Sequence, residues 1–228
     1  MSELATIHAA LSERIRRASP ARPIALLAVS KTRAATEVRA LAELDQRAFG
    51  ENYVQEAIGK QRELADLDLE WHLIGHLQSN KAREAAAAFD WVQSVDRSKL
   101  VAELARHRPT DRSPLNVLVQ VNIDDESSKH GCRPDDVFGL ADAIAAEPRL
   151  ALRGLMAIPA PDPDMRRRCA AFRALKALFD EIGTRHQRID TLSMGMSEDF
   201  ELAIAEGATL VRIGTALFGA RPVSPHMP

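Results

Sequence analysis

A lysine closes an apolar run, Ile24-Ala25-Leu26-Leu27-Ala28-Val29-Ser30-Lys31-Thr32, that Pro23 bounds upstream. A short apolar run followed by a helix-like segment reads as a fully buried parallel strand, with Lys31 at its carboxyl end. Those ends are where α/β folds bind ligands. An amine held there, partly out of water, loses basicity and becomes a nucleophile toward an aldehyde, able to form a Schiff base. The competing reading is a solvated lysine opening a loop, the usual place for a charged side chain.

Two later stretches could meet such an amine with an anion cradle: Ser193-Met194-Gly195-Met196-Ser197 and Arg212-Ile213-Gly214-Thr215. Loops after the last two strands of a parallel barrel commonly cradle phosphate with amides and small residues, and Gly195, Ser197, Gly214 and Thr215 suit that task. Ser197 also precedes Glu198-Asp199-Phe200-Glu201, where its hydroxyl could simply cap a helix. Further polar groups fall near strand ends: Asn52 after Gly50-Glu51, His72 in the run to His76, and Asn122, with Met156 in an apolar run. His72 and His76 have a helical metal-ligand spacing, but the run is strand-like and Gly75 breaks any helix, so a hydrogen-bonded histidine is the expectation and a metal is not. Asp124-Asp125-Glu126 lacks calcium-loop spacing and reads as a solvated turn. Arg166-Arg167-Arg168 reads as a solvent-facing patch at a helix start.

The elements that must position these residues alternate along the chain. After an amphipathic helix over 2–19, strands are expected at Ile24–Ser30, Ala48–Glu51, Trp71–Gly75, Trp91–Val95, Asn116–Ile123, Leu152–Ile158, Thr191–Gly195 and Leu210–Gly214. Helical periodicity fills the gaps, for example at 37–44, 80–88, 134–146, 165–182 and 199–206. Eight βα units without a linker predict a single (β/α)8 TIM-type barrel over 1–228 with an additional N-terminal helix. An open dinucleotide-binding sheet would want glycines after the first strand, and Ser30-Lys31-Thr32-Arg33 has none.

Composition narrows the class. The 228 residues hold 30 basic and 32 acidic side chains, a formal net charge of -2, spread without blocks. No general field for nucleic acid or anionic membrane follows. No stretch has the length of a membrane span, and the opening residues lack a signal-peptide pattern, so a cytoplasmic protein is expected. Cys132 and Cys169 are far apart and fit reduced thiols.

Taken together, the motifs resemble the pyridoxal phosphate homeostasis protein family, relatives of the alanine racemase barrel. The resemblance runs end to end: A-V-S-K-T at 28–32, G-E-N-Y at 50–53, W-H-L-I-G-H-L-Q-S-N-K at 71–81, V-N-I-x-x-E-x-S-K-x-G at 121–131, R-G-L-M-A-I at 153–158, L-S-M-G-M-S-x-D at 192–199 and V-R-I-G-T-x-x-F-G at 211–219. Asp125-Glu126-Ser127 departs slightly from the family pattern. The resemblance implies a fold-type III cofactor barrel in which Lys31 forms an aldimine with pyridoxal 5'-phosphate. Ser197 and the Gly214-Thr215 amides would hold the phosphate, Arg212 would face the pyridine nitrogen, and Asn52, His72 and Met156 would line the ring.

A permanently charged guanidinium can donate to the ring nitrogen but cannot accept a proton from it, so the nitrogen is expected to stay unprotonated and the ring to be the weaker electron sink. The related racemases share this feature, and in them a tyrosine from an additional β domain of the partner subunit completes the site. Here the chain runs only to Pro228, and Tyr53 is its one tyrosine. The expectation is therefore a monomer that holds or delivers the cofactor, with pyridoxal-phosphate apo-enzymes as candidate recipients and no robust catalysis. A racemase-like enzyme and a Schiff-base aldolase are the competing readings.

Overall fold

Eight short parallel strands close on themselves in sequence order, in a computed structural model that describes residues 2–219 apart from 125, 127, 128, 161 and 162. Helix α1 (Glu3–Ala18) leads into β1 (Ala25–Val29), α2 (Ala35–Ala42), β2 (Ala48–Glu51), α3 (Val54–Glu63) and β3 (Glu70–Leu73). There follow α4 (Ala82–Ala88), β4 (Trp91–Val95), α5 (Ser98–His107), β5 (Leu115–Gln120), α6 (Val137–Ala145) and β6 (Leu150–Met156). The circuit ends with α7 (Met165–Arg185), β7 (Thr191–Ser193), α8 (Phe200–Ala205), β8 (Leu210–Ile213) and α9 (Thr215–Phe218). β1 pairs parallel with β8, Ala25 beside Leu210 and Ala28 beside Ile213, so the sheet has no open edge. The expected barrel and leading helix are both present, and the open-sheet alternative falls with that pairing.

Local chemistry explains the boundaries. Ser2 caps α1 by accepting the Ala5 amide at 3.2 Å, and Asp164 caps α7 through the Arg166 amide at 2.8 Å. Alanines 82, 85 and 86 on the buried side of α4 let that helix lie close to the barrel. β5 stops at Gln120 rather than Ile123, because beyond it Val121 makes only an isolated bridge to Cys132. β7 stops at Ser193, before Gly195, whose φ of +91° ends any extended run. A Cβ at Gly195 would lie 2.5 Å from the Ala203 Cβ, so glycine is required for α8 to pack there. Helices α3, α5 and α9 were not delimited from the sequence; in α5 the buried set Leu100, Val101, Leu104 and Ala105 has the expected period.

Strand alternation divides the core in two. Phe49, Phe89, Phe172 and Phe200 are fully buried in the large cluster between strands and helices, each contributing about 1.5–3 kcal/mol by burial. The two smaller clusters, Leu27 with Ile74 and Leu210, and Trp91 with Leu118 and Met156, are built from strand residues of the opposite parity, together with Ile74 just past β3, and occupy the barrel interior. His72, Gln93, Ser193 and Arg212 share that inward parity and are all buried.

Candidate functional site

A cavity of ≈ 630 Å³ opens where β1, β2, β6, β7 and β8 end, at the barrel mouth. Lys31, Asn52, Ser197, Arg212, Gly214 and Thr215 line it, six of the nine residues singled out from the sequence. A larger cavity of ≈ 760 Å³ lies along the amino ends of β5, β6 and β7. There Arg153 is held by the Asp190 carboxylate at 2.6 Å and the Asn116 carbonyl at 2.8 Å, and the lining offers no lysine. The mouth cavity has the chemistry; the larger one is a groove at the other end of the barrel.

The remaining three residues sit outside that lining. Met156 is fully buried in the barrel interior against Trp91 and Leu118. Gly195 shapes its loop and accepts the Arg212 amide through its carbonyl at 3.0 Å. His72 lies deeper, 1 % exposed, stacked on Trp91 with ring centroids 5.1 Å apart. Ser197 does not cap α8, whose cap position is Asp199; its hydroxyl instead accepts the Ala216 amide at 3.2 Å. That bond joins the loop after β7 to the start of α9, bringing the two suspected anion loops together. Asp199 closes the same loop by accepting the Met196 amide at 2.7 Å.

Arg212 is the most elaborately supported of the lining groups. Its Nη2 donates to the Ala157 carbonyl at 2.8 Å and its Nη1 to Ser193 Oγ at 2.7 Å. Ser193 in turn donates to Gln93 Oε1 at 2.7 Å, and the Gln93 amide nitrogen lies 2.9 Å from His72 Nδ1. His72 Nε2 then meets Glu70 Oε1 at 2.8 Å. Hydrogen bonding to His72 holds the Glu70 carboxyl below its usual range. The links run unbroken from Arg212 across the barrel interior to Glu70. Burial draws the Arg212 pKa down to about 10, still far above neutral, leaving a desolvated cation at the cavity floor.

Sequence reasoning missed three participants. Gln93 and Ser193 are polar residues at inward parity within apolar strands, a signal that was available in W-V-Q-S-V and T-L-S. Arg168 belongs by sequence to a solvent-facing patch, yet it lines the cavity while Arg166 and Arg167 remain exposed. Its Nε is buried without a hydrogen-bond partner among the described residues. Tyr53 is 62 % exposed and lies outside the lining.

Among the described residues, His76, Asp96 and His130 gather with their ligand atoms within 4.8 Å of one another. Arg97 already donates to Asp96 at 2.5 Å, and the two imidazoles stack with centroids 3.7 Å apart at 15°. With Asp96 already paired to Arg97 and the two rings stacked on each other, the cluster carries no metal argument. Asp125, part of the acidic turn read from the sequence, lies outside the described residues.

A closed parallel barrel with a lysine beyond β1 and a buried arginine on β8, opposite joined loops after β7 and β8, defines a class of barrel with a ligand site at its mouth. A family model described as alanine racemase, N-terminal domain, matches residues 8–222. The chain is 52% identical over 226 residues to a pyridoxal phosphate homeostasis protein of Pseudomonas aeruginosa, covering 97% of each chain. PipY of Synechococcus elongatus, solved with PLP bound, is 38% identical with a TM-score of 0.84, over 95% of this chain and 100% of that one. Alanine racemase of Corynebacterium glutamicum, at 22% identity and a TM-score of 0.69, shares the fold over 97% of this chain and 62% of that one. The chain belongs to the pyridoxal phosphate homeostasis protein family, within the wider alanine racemase N-terminal domain family.

Proposed function

We propose that this protein binds pyridoxal 5'-phosphate in the mouth cavity, covalently through Lys31, and serves cofactor homeostasis by holding and releasing it without robust catalysis. The observation that carries the reading is the convergence of Lys31, Arg212, Ser197 and Thr215 on one cavity. This donor set fits the group: an amine for its aldehyde, hydroxyls and the small Gly214 for its phosphate, and a cation for its ring nitrogen. Its relatives' names and the bound PLP of PipY support the choice of ligand.

When bound, the cofactor supplies an electron sink. Arg212 limits that sink, because a guanidinium that stays charged can donate to the ring nitrogen but has no proton-accepting lone pair. The chain through Ser193, Gln93 and His72 keeps it oriented for that task. Lys31 adds to the aldehyde as a neutral amine, and the reverse reaction with water frees it, so one residue serves both capture and release. Tyr53, exposed and off the cavity, is not placed as a second acid or base. Asn52, just past β2, lines the cavity where the ring would sit, while His72, Met156 and Gly195 support the site from behind.

The test is to mix the loaded protein with an apo-form of a pyridoxal-phosphate enzyme and to assay racemisation, transamination and decarboxylation in parallel. The reading expects recovery of the enzyme's activity and no amino-acid turnover by the protein itself. Enzyme-level racemisation that depends on Lys31 and falls in Tyr53→Phe would replace it with the racemase-like reading.

A further inference from the structure

Thr32, immediately after Lys31, has φ of +62°. A β-branched residue rarely adopts that left-handed backbone, because its Cβ crowds the neighbouring peptide. The conformation comes from a tight turn in which the Ser30 carbonyl accepts the Arg33 amide at 3.0 Å, putting Lys31 and Thr32 at its centre. The second central position of such a turn normally takes glycine when φ is positive. A strained residue persists only where its surroundings hold it, and such places cluster at functional sites.

An ion cluster, buried at Glu51 and Lys60 and partly buried at Glu56, does the holding here. Lys60, on α3 and 6 % exposed, directs Nζ to the Ser30 carbonyl at 2.6 Å, to Glu51 Oε1 at 2.7 Å and to Glu56 Oε1 at 2.7 Å. Glu56 Oε1 also accepts the Thr32 amide at 2.6 Å, and Ser30 Oγ donates to Glu51 Oε1 at 2.6 Å. The Ser30 carbonyl belongs to the peptide that enters Lys31, and the Thr32 amide to the peptide that leaves it. Pinning both planes fixes the φ and ψ of Lys31 and hence the direction in which its side chain departs.

We propose that Glu56 and Lys60 are positioning residues for Lys31, holding a strained turn so that its amine is presented to the cavity for aldehyde capture. This rests on the cofactor reading above. In the capture step the neutral Lys31 amine adds to the aldehyde carbon, a C=N bond forms, and the aldehyde oxygen leaves as water with two protons from nitrogen, without oxidation or reduction. Neither Glu56 nor Lys60 lines the cavity, so their effect runs through the turn.

The test compares two ligands on Glu56→Ala: pyridoxal 5'-phosphate, followed by the rate at which borohydride-trappable adduct appears, and pyridoxine 5'-phosphate, which has the phosphate and ring but no aldehyde. The proposal expects capture to slow by about tenfold to a hundredfold, the scale of a misplaced reacting group, while pyridoxine 5'-phosphate affinity stays within about twofold. Adding Thr32→Gly to Glu56→Ala should restore most of the rate, since glycine takes the positive φ without a clamp. Glu56→Gln, which keeps an acceptor oxygen and is the gentler change to the fold, should fall between wild type and Glu56→Ala. Wild-type capture by Glu56→Ala, a parallel loss of both ligands, no rescue by Thr32→Gly, or Glu56→Gln no better than Glu56→Ala would each overturn the proposal. If the wild-type protein trapped no adduct on Lys31, the cofactor reading itself would fail instead.

Discussion

Ser197 and Thr215 each bring one hydroxyl to the cavity, on loops tied together by the Ser197 to Ala216 bond. Replacing either with alanine should weaken retention of the cofactor by about tenfold to a hundredfold, the value of one hydrogen bond to a charged acceptor, while leaving capture on Lys31 intact. Equilibrium dialysis of the single variants checks this, and unchanged affinity in the double variant would place the phosphate elsewhere. A second residue-scale prediction concerns the thiols. Burial chiefly, with Asp136 and Asp96 adding to it, pushes Cys132 up to about 12, so at pH 8 only about one molecule in ten thousand carries the thiolate. Because that folded value lies above the unfolded one, the stabilisation is fully present below about pH 8.5 and is lost as pH rises from there toward 12. Iodoacetamide on native protein at pH 8 should label Cys169 and spare Cys132 until the protein is denatured; rapid native labelling of Cys132 would contradict this burial. Legibility at this scale followed strand ends: Lys31, Arg212 and Thr215 stood at them and line the cavity. Arg168 did not, because a helix start among three arginines gives no clue which one turns inward.

Between the residues and the fold, β3, β4, β7 and β8 together carry a polar layer through an otherwise apolar barrel. Gln93→Leu should interrupt it, leaving the Ser193 hydroxyl and His72 Nδ1 without their partners. The expected cost is about 1–3 kcal/mol in denaturant unfolding, the usual penalty for an orphaned buried polar group, with a loss of cofactor affinity as Arg212 loses its support. Unchanged stability and affinity would mean the layer is dispensable. Strand existence was readable throughout because short apolar runs alternated with helical periods. Their ends were less so: β5 and β7 proved shorter than the apolar pattern suggested, since apolarity continues past Gln120 and Ser193 while the backbone turns to make the mouth loops. The layer itself was hidden because pairing four inward residues requires the barrel's closure and register, which no single strand records.

At the scale of the molecule, one barrel gathers from distant sequence positions a lysine, the loops after β7 and β8 and a buried cation, and the motifs at 28–32, 192–199 and 211–219 make that gathering legible in the sequence. The functional reading is that of a one-sided site with reversible capture. Arg212→Glu should shift the balance, because a carboxylate beside the ring nitrogen favours its protonation and a stronger electron sink. Amino-acid exchange measured by deuterium uptake at Cα should rise in that variant relative to the unmodified protein; no rise in a variant that still retains the cofactor would contradict the role given to Arg212. The donors proposed for the cofactor all come from one chain, so affinity should also be independent of protein concentration on dilution, and a sharp loss would instead require a second copy. Lys31 is the proposed attachment point of the cofactor. Purified protein incubated with pyridoxal 5'-phosphate, reduced with borohydride and digested should yield its pyridoxyl group on the peptide containing Lys31, and Lys31→Ala should fold normally yet yield none. The modification on Lys129, whose amine lies 3.3 Å from the carbonyl of the cavity residue Ile158, or on Lys81, with Lys31 unmodified, would contradict the account.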